Sequence, residues 1–435
     1  VPYVLNVLYG VAIAVLSPWL IWRAIFTGRY RSGLASKWFG SVTLPPRTKP
    51  RIWLHAVSVG EVLLLRPLLH RLRQQYPGWE CVLSVTTHTG MAVARRTYPE
   101  LQVFYYPLDF TWAVRRALGA VDPQLIVLAE LELWPNFLLA ADRRGVPVVV
   151  VNGRMSPRSH RRYRLFRPLL APILDRVARF IVQTETYAQR FREAGVAPGK
   201  IVVSGSLKFD GVMSDRSNFK TQQLARLFGL EDSTDRPLVW VVGSTQEPEE
   251  RWALEIYSQA RRQFPRLRLI IVPRHQERFD GVAQLITRSG YPLARRSELA
   301  NQPPPTEAVI LIDTLGELGA AWGLADLAFV GGSFGRRGGQ NMIEPAAYGV
   351  AVTFGPNVWN FRDVVQQLLE ARAAVQVPSR AAWEACTLEL LGNTNQRRYL
   401  GEAAQQLALA QQGATDRTLA ALAPWLHRPA ARSAA

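Results

Sequence analysis

Arg51-Ile52-Trp53-Leu54-His55-Ala56-Val57-Ser58-Val59-Gly60-Glu61 is the stretch on which the architecture turns. Arg51–Val57 is short and nearly all apolar, the pattern of a strand buried on both faces of a sheet. Ser58-x-x-Glu61 follows at once and reads as a capping box opening a helix that continues to Gln75. A buried strand running straight into a helix is the first half of a βαβ unit.

The same rhythm continues outward. Cys81–Thr86, Val103–Tyr106, Leu125–Leu128, Pro147–Val151, Phe180–Gln183 and Ile201–Ser204 are further strand runs, with helical patterns between most of them. The polar segment Ser214–Asp235 interrupts the series. A second set follows at Leu238–Val242, Leu267–Val272, Val309–Ile312, Leu327–Val330 and Ala351–Phe354. Two doubly wound parallel-sheet domains result, at 23–218 and 219–428, with a linker near Phe219–Asp235. The proline-rich run Asn301–Thr306 reads as a surface loop, and Pro429–Ala435 as a frayed tail. The length of 435 residues suits two such cores.

Val1–Trp22 carries no charge and is rich in aliphatic and aromatic residues. It reaches the ~20 residues that span a bilayer's hydrocarbon core. Arg23, Arg29, Arg31 and Lys37 follow, which places the remainder of the chain in the cytoplasm. Residues 1–22 are therefore expected to be a membrane anchor. Asn6, Gly10 and Pro18 leave a spanning helix and an interfacial one both open.

Lys and Arg total 52 against 34 Asp and Glu, a formal charge of +18. Such a surplus points to anionic partners. Without zinc-finger spacing or an RNA-recognition signature, nucleic acid is not among them. Phosphorylated small molecules and acidic membrane remain. Cys81 and Cys386 fit buried, unpaired thiols in a reducing compartment.

In doubly wound sheets ligands bind beyond the carboxyl ends of the strands, and the chemistry-bearing residues fall there. Glu61, at a helix start, is held as a carboxylate by the helix dipole and could take a proton from an attacking hydroxyl. Glu130 and Glu132 follow Leu125–Leu128, in Glu130-Leu131-Glu132-Leu133-Trp134-Pro135-Asn136. Lys208 stands beside the Gly205-Ser206 turn, where it could meet a phosphate or carboxylate. In the second half, Gly243-Ser244-Thr245, Pro273-Arg274-His275 and Asp313-Thr314-Leu315-Gly316-Glu317-Leu318 each follow a strand. Gly331-Gly332-Ser333-Phe334-Gly335 leads through Gly338-Gly339-Gln340 to Asn341-Met342-Ile343-Glu344-Pro345. Loop amides of this kind cradle phosphates, and Glu344 suits ribose hydroxyls. Arg161, Arg162 and Arg164 cluster ahead of the apolar Leu169–Leu174, fitting anionic headgroups or an acceptor's phosphates.

Taken in order, these segments resemble the 3-deoxy-D-manno-octulosonic acid (Kdo) transferases of lipopolysaccharide synthesis, a GT-B glycosyltransferase family. The resemblance rests on His55–Glu61, Glu132–Asn136, Gly205–Asp210, Val272–Arg278, Asp313–Leu318 and the glycine-rich stretch to Pro345. It implies two Rossmann-like domains facing a central cleft, with a lipid A precursor on the N-terminal side and CMP-Kdo on the C-terminal side. It assigns Glu61 as general base and credits Glu130 and Lys208 with stabilising the transition state. Pro273, Arg274, Leu315, Gly316, Glu317, Asn341, Met342, Ile343 and Glu344 become the CMP-binding stretches. The implied location is the cytoplasmic face of the inner membrane. The sequence departs from the family pattern at Gln246 and Gln340, commonly histidine, and at Pro248, commonly glycine.

Other readings compete. A transferase using another nucleotide sugar keeps the fold. A serine hydrolase would use Ser333 of Gly-x-Ser-x-Gly with Asp363 and His427. A non-catalytic nucleotide-binding module would not need Glu61. No Asp-x-Asp pair and no paired-histidine motif is present, so neither a metal nor another cofactor is expected.

Overall fold

Two seven-stranded sheets carry the chain, and every recorded strand pairing is parallel. The structure, a computed structural model, describes residues 2–27, 33–231, 236–299 and 302–427. Arg29, Arg31, Asn301, the last residues of the polar segment (232–235) and the tail from Pro429 lie outside the described residues.

The first unit comprises Val1–Asp210 with Gln412–Ala435. Its strands are β1 (Arg51–Ala56), β2 (Glu80–Val85), β3 (Gln102–Tyr105), β4 (Leu125–Ala129), β5 (Val148–Gly153), β6 (Arg179–Val182) and β7 (Ile201–Val203). They lie in the order β3-β2-β1-β4-β5-β6-β7. The central strands β1, β4 and β5 are buried along their whole length, as runs with almost no polar residue must be when helices cover both faces. The order reverses between β1 and β4, which opens a crevice at their carboxyl ends.

The second unit, Gly211–Gln411, repeats the plan. Its strands are β8 (Val239–Thr245), β9 (Arg268–Pro273), β10 (Leu293–Arg295), β11 (Val309–Leu311), β12 (Leu327–Val330), β13 (Ala351–Phe354) and β14 (Ala374–Gln376). The order is β10-β11-β9-β8-β12-β13-β14, so the reversal falls between β8 and β12.

The structure corrects two expected boundaries. The sequence predicts a linker near 219–235, but Phe219–Phe228 is a helix of the second unit. Asn218 caps it by accepting from the Thr221 N–H, and Leu224 and Phe228 are buried. The sequence also predicts a second domain reaching 428, whereas helix Ala414–Leu426 belongs to the first unit. Asp210 accepts from the N–H groups of Gly413 and Thr415, Arg417 donates to the Ser204 carbonyl at 2.7 Å, and Leu419, Leu422 and Leu426 complete the first core.

The apolar N-terminal run forms helix Pro2–Thr27. Among the described residues, no helix is long and apolar enough to cross a membrane. The helix instead packs its Asn6 and Tyr9 side on the first unit, leaving Tyr3, Val4, Val7, Leu8, Val11 and Val15 exposed.

Candidate active site

The β1–β4 crevice gathers carboxylates. Residues pair across these strands as His55 with Leu128, so Val57 and Glu130 stand at matching positions one step past the ends. Glu61 lies in the first turn of the helix following β1. One of its oxygens accepts from the Val57 N–H at 2.8 Å, the other from the Ser58 hydroxyl at 3.0 Å. The reciprocal bond of a capping box, in which the Ser58 oxygen would accept from a helix N–H, is absent. Glu61 thus ties down its own turn, yet each oxygen keeps a second lone pair for another donor.

Burial lifts the pKa of Glu61 above the ordinary glutamate value, offset by the Val57 N–H. The Glu130 charge pushes it further up, while Ser58 and Arg154 pull it down. Glu130 adopts a left-handed φ of 60°, uncommon for a side-chain-bearing residue, and its N–H is held by the Val151 carbonyl. Arg154, just after β5, pairs with Glu130 at 2.8 Å. Glu132 accepts from the Trp134 indole at 3.1 Å, and burial followed by the Glu61 charge raises its pKa to about 7. Glu61, Glu130, Glu132 and Arg154 therefore form one electrostatic group. His55, from the same motif, is a core residue: fully buried, stacked on Tyr106 and bonded to Ser84, its pKa pushed down to about 3 by burial.

Lys208 is half-buried in a short turn after the edge strand β7. The turn is drawn toward the crevice by Asn152 at the end of β5, whose side-chain oxygen accepts from the Leu207 N–H at 3.0 Å. Arg161, Arg162 and Arg164 are exposed on helix Pro157–Leu165, continuous with exposed Leu165, Phe166 and Leu169.

In the second unit the candidate residues line the carboxyl edge of the sheet, but with unequal access. Ser244, in a left-handed conformation, and Thr245 end β8 and are buried, as is Pro273 at the end of β9. Met342 and Ile343 are also buried, and the Ile343 N–H is already bonded to Asn341. Arg274 and Leu315 are exposed, and Gly316 has a φ of 85°. Glu317 is already engaged by Arg296 (2.9 Å) and by the Thr314 hydroxyl. Asn341 donates to Glu344 at 3.0 Å and accepts from the Ile343 N–H. Burial raises the Glu344 pKa, with Asn341 and the Arg274 charge opposing.

The residue that sequence reasoning missed is Glu249. Its side chain is fully buried, and it accepts backbone N–H bonds from Gln246 after β8 and from Gly332, Ser333 and Phe334 after β12. The expected phosphate cradle at Gly331–Phe334 is therefore taken up by the protein's own carboxylate. A Cβ at Gly331 would lie 2.7 Å from a Glu249 oxygen, which explains the glycine there. The same loop rules out the hydrolase: Ser333 is buried, its hydroxyl donating to Val330 and accepting from Gly355. Among the described residues no group of three or more His, Cys, Asp or Glu could hold a metal ion.

Two Rossmann-like units, with acids at one switch point and anion-oriented loops in the other, are the equipment of a two-domain glycosyltransferase. The fold is shared with the crystal structure of Acinetobacter baumannii MurG (TM-score 0.57, 15% identity, covering 86% of this chain and 99% of that one). The family profile described as 3-deoxy-D-manno-octulosonic-acid transferase matches residues 30–211. The Haemophilus influenzae 3-deoxy-D-manno-octulosonic acid transferase is 34% identical over 406 residues, 92% of this chain and 93% of its own length. The Bordetella pertussis transferase of the same name is 36% identical over 434 residues, covering 96% and 99%. This chain is a glycosyltransferase and belongs to the 3-deoxy-D-manno-octulosonic acid transferase family.

Proposed function

We propose that the enzyme transfers Kdo from CMP-Kdo to a sugar hydroxyl of a lipid A precursor, with Glu61 as general base. The acceptor oxygen attacks the anomeric carbon of Kdo and its proton passes to Glu61. The bond from that carbon to the CMP phosphate breaks, and its electron pair leaves with CMP. The observation that carries this reading is the acid group at the β1–β4 crevice, where Glu61 stands beside Glu130 and Arg154. Its raised pKa brings Glu61 nearer the working range of a general base. Lys208 is assigned to the negative charge that leaves with CMP, and Glu130 to the positive charge that builds on the sugar as the bond breaks. Arg274 and Glu344 on the second unit suit the donor's phosphate and ribose.

The work is assigned to the cytoplasmic face of the inner membrane. The exposed apolar side of helix Pro2–Thr27 supports an interfacial anchor, and Arg161, Arg162 and Arg164 beside Leu165, Phe166 and Leu169 support contact with anionic headgroups or acceptor phosphates. Lysine and arginine charge replaces a divalent cation, so EDTA leaves turnover intact. Incubation with CMP-Kdo and a lipid A precursor tests the reading: acceptor mass rises by one or more Kdo residues, and an unchanged acceptor defeats it. A different sugar nucleotide is the second reading, because Gln246 and Gln340 both adjoin the loop at Gly332. Transfer from a UDP-sugar, but not from CMP-Kdo, would select it.

A further inference from the structure

The N-terminal helix is bonded to the segment that carries the acids. Asn6 donates to the Thr111 hydroxyl at 2.8 Å, and its oxygen accepts from the Thr111 N–H and from the Asn136 amide, both at 3.2 Å. One turn on, the Tyr9 hydroxyl donates to Asp109 at 3.0 Å. Asp109 is 5% exposed. The oxygen that receives Tyr9 also accepts from the Asn136 N–H, and the other accepts from the Phe137 N–H at 2.8 Å. Asp109 thereby satisfies free N–H groups at the start of helix Pro135–Arg143, as an acid at a helix N-terminus should.

Residues 130–134 bridge the end of β4 to that helix without regular structure of their own. Glu130 has a left-handed φ, and the position of Glu132 depends on where each end of the bridge is fixed. β4 fixes one end. The other is fixed at Asn136 and Phe137, where the bonds run to Asp109 and Asn6.

We propose that Asn6 and Tyr9 are positioning residues for the acidic segment Glu130–Asn136, so that seating of the N-terminal helix sets the rate of transfer. The helix is then a working part of the acceptor site as well as an anchor. Its two sides divide the labour: Asn6 and Tyr9 face the protein, while Val4, Val7, Leu8 and Val11 are exposed. The proposal rests on the proposed transfer at the β1–β4 crevice, with Glu130 and Glu132 acting beside Glu61.

Full-length Tyr9→Phe and Asn6→Ala/Tyr9→Phe enzymes test it, assayed in detergent with CMP-Kdo and a lipid A precursor. The double variant is expected to lose roughly tenfold or more in kcat, as misplaced catalytic groups do, with KM for CMP-Kdo unchanged. Amide exchange over 130–137 is expected to accelerate in both variants, with flotation on phosphatidylglycerol vesicles at the parent level. Val7→Ser/Val11→Ser, on the exposed side, is expected to lose flotation while exchange at 130–137 stays at the parent rate. Parent-rate exchange at 130–137 in the double variant, or parent kcat, overturns the proposal. A parent enzyme inactive with these substrates defeats the functional reading instead, and the exchange result still decides the positioning claim.

Discussion

Arg154, just past β5, holds the carboxylate of Glu130, just past β4, at 2.8 Å. The pair sits beside Glu61, and its two charges act on that residue in opposite directions. Glu130 discourages Glu61 from ionising and Arg154 encourages it.

The acid limb of kcat/KM reports the ionisation of an essential base in the free enzyme. Glu130→Gln removes a negative neighbour, so the limb moves to lower pH. Arg154→Gln removes a positive one, so the limb moves to higher pH. Each displacement is expected to be roughly half a pH unit or more. Two shifts of the same sign in pH–rate profiles would contradict the assignment.

Glu132 supplies a stability test. Its folded pKa is raised from 4.5 to about 7. Through that window the native state binds more protons than the unfolded chain, so the group's contribution to stability falls as pH rises. Glu132→Gln mimics the protonated form. Its Tm is expected to exceed the parent's at about pH 8 and to match it at about pH 5. An equal difference at both values would show that Glu132 does not titrate as described.

Glu249 joins the loops after β8 and β12 through four backbone N–H bonds. Glu249→Ala strands those donors in a buried site, at about 1–3 kcal/mol for each left unsatisfied. Denaturant unfolding of the variant should show a loss of several kcal/mol, roughly 3 or more, with weaker CMP binding by calorimetry. Glu249→Gln should fall between, because its amide oxygen can still accept. Parent-like unfolding and CMP binding in the alanine variant would separate this carboxylate from the donor loops.

Arg161, Arg162 and Arg164 contribute about 1 kcal/mol each if they meet an anionic surface. Their replacement by Gln should weaken partition onto phosphatidylglycerol vesicles by roughly a hundredfold at low salt, with the gap closing as salt rises. Unchanged vesicle binding and unchanged KM for the acceptor would end their assignment.

The sheets were legible where burial is complete. Runs such as Leu125–Leu128 and Leu327–Val330 are apolar throughout because helices cover both faces, and they fall in the strands found. β10 and β14, at the sheet edges, are three residues each and mix apolar with polar side chains, so they leave no such run. Glu61 and Glu130 could be read as candidates because ligands in this topology bind beyond the strand ends. Glu249 could not, since its meaning comes from a loop more than eighty residues later. The return of helix Ala414–Leu426 to the first unit was equally hidden. It depends on Asp210 and Ser204, far upstream, and its own pattern says only that one side must be covered.

Glu61 is the residue on which the proposed transfer most depends. Glu61→Gln keeps size and the ability to accept from Val57 but cannot take a proton at neutral pH. Single-turnover transfer from CMP-Kdo to a lipid A precursor is expected to fall by about two orders of magnitude or more, with CMP affinity unchanged. Transfer at the parent rate would show that the carboxylate only closes its own turn.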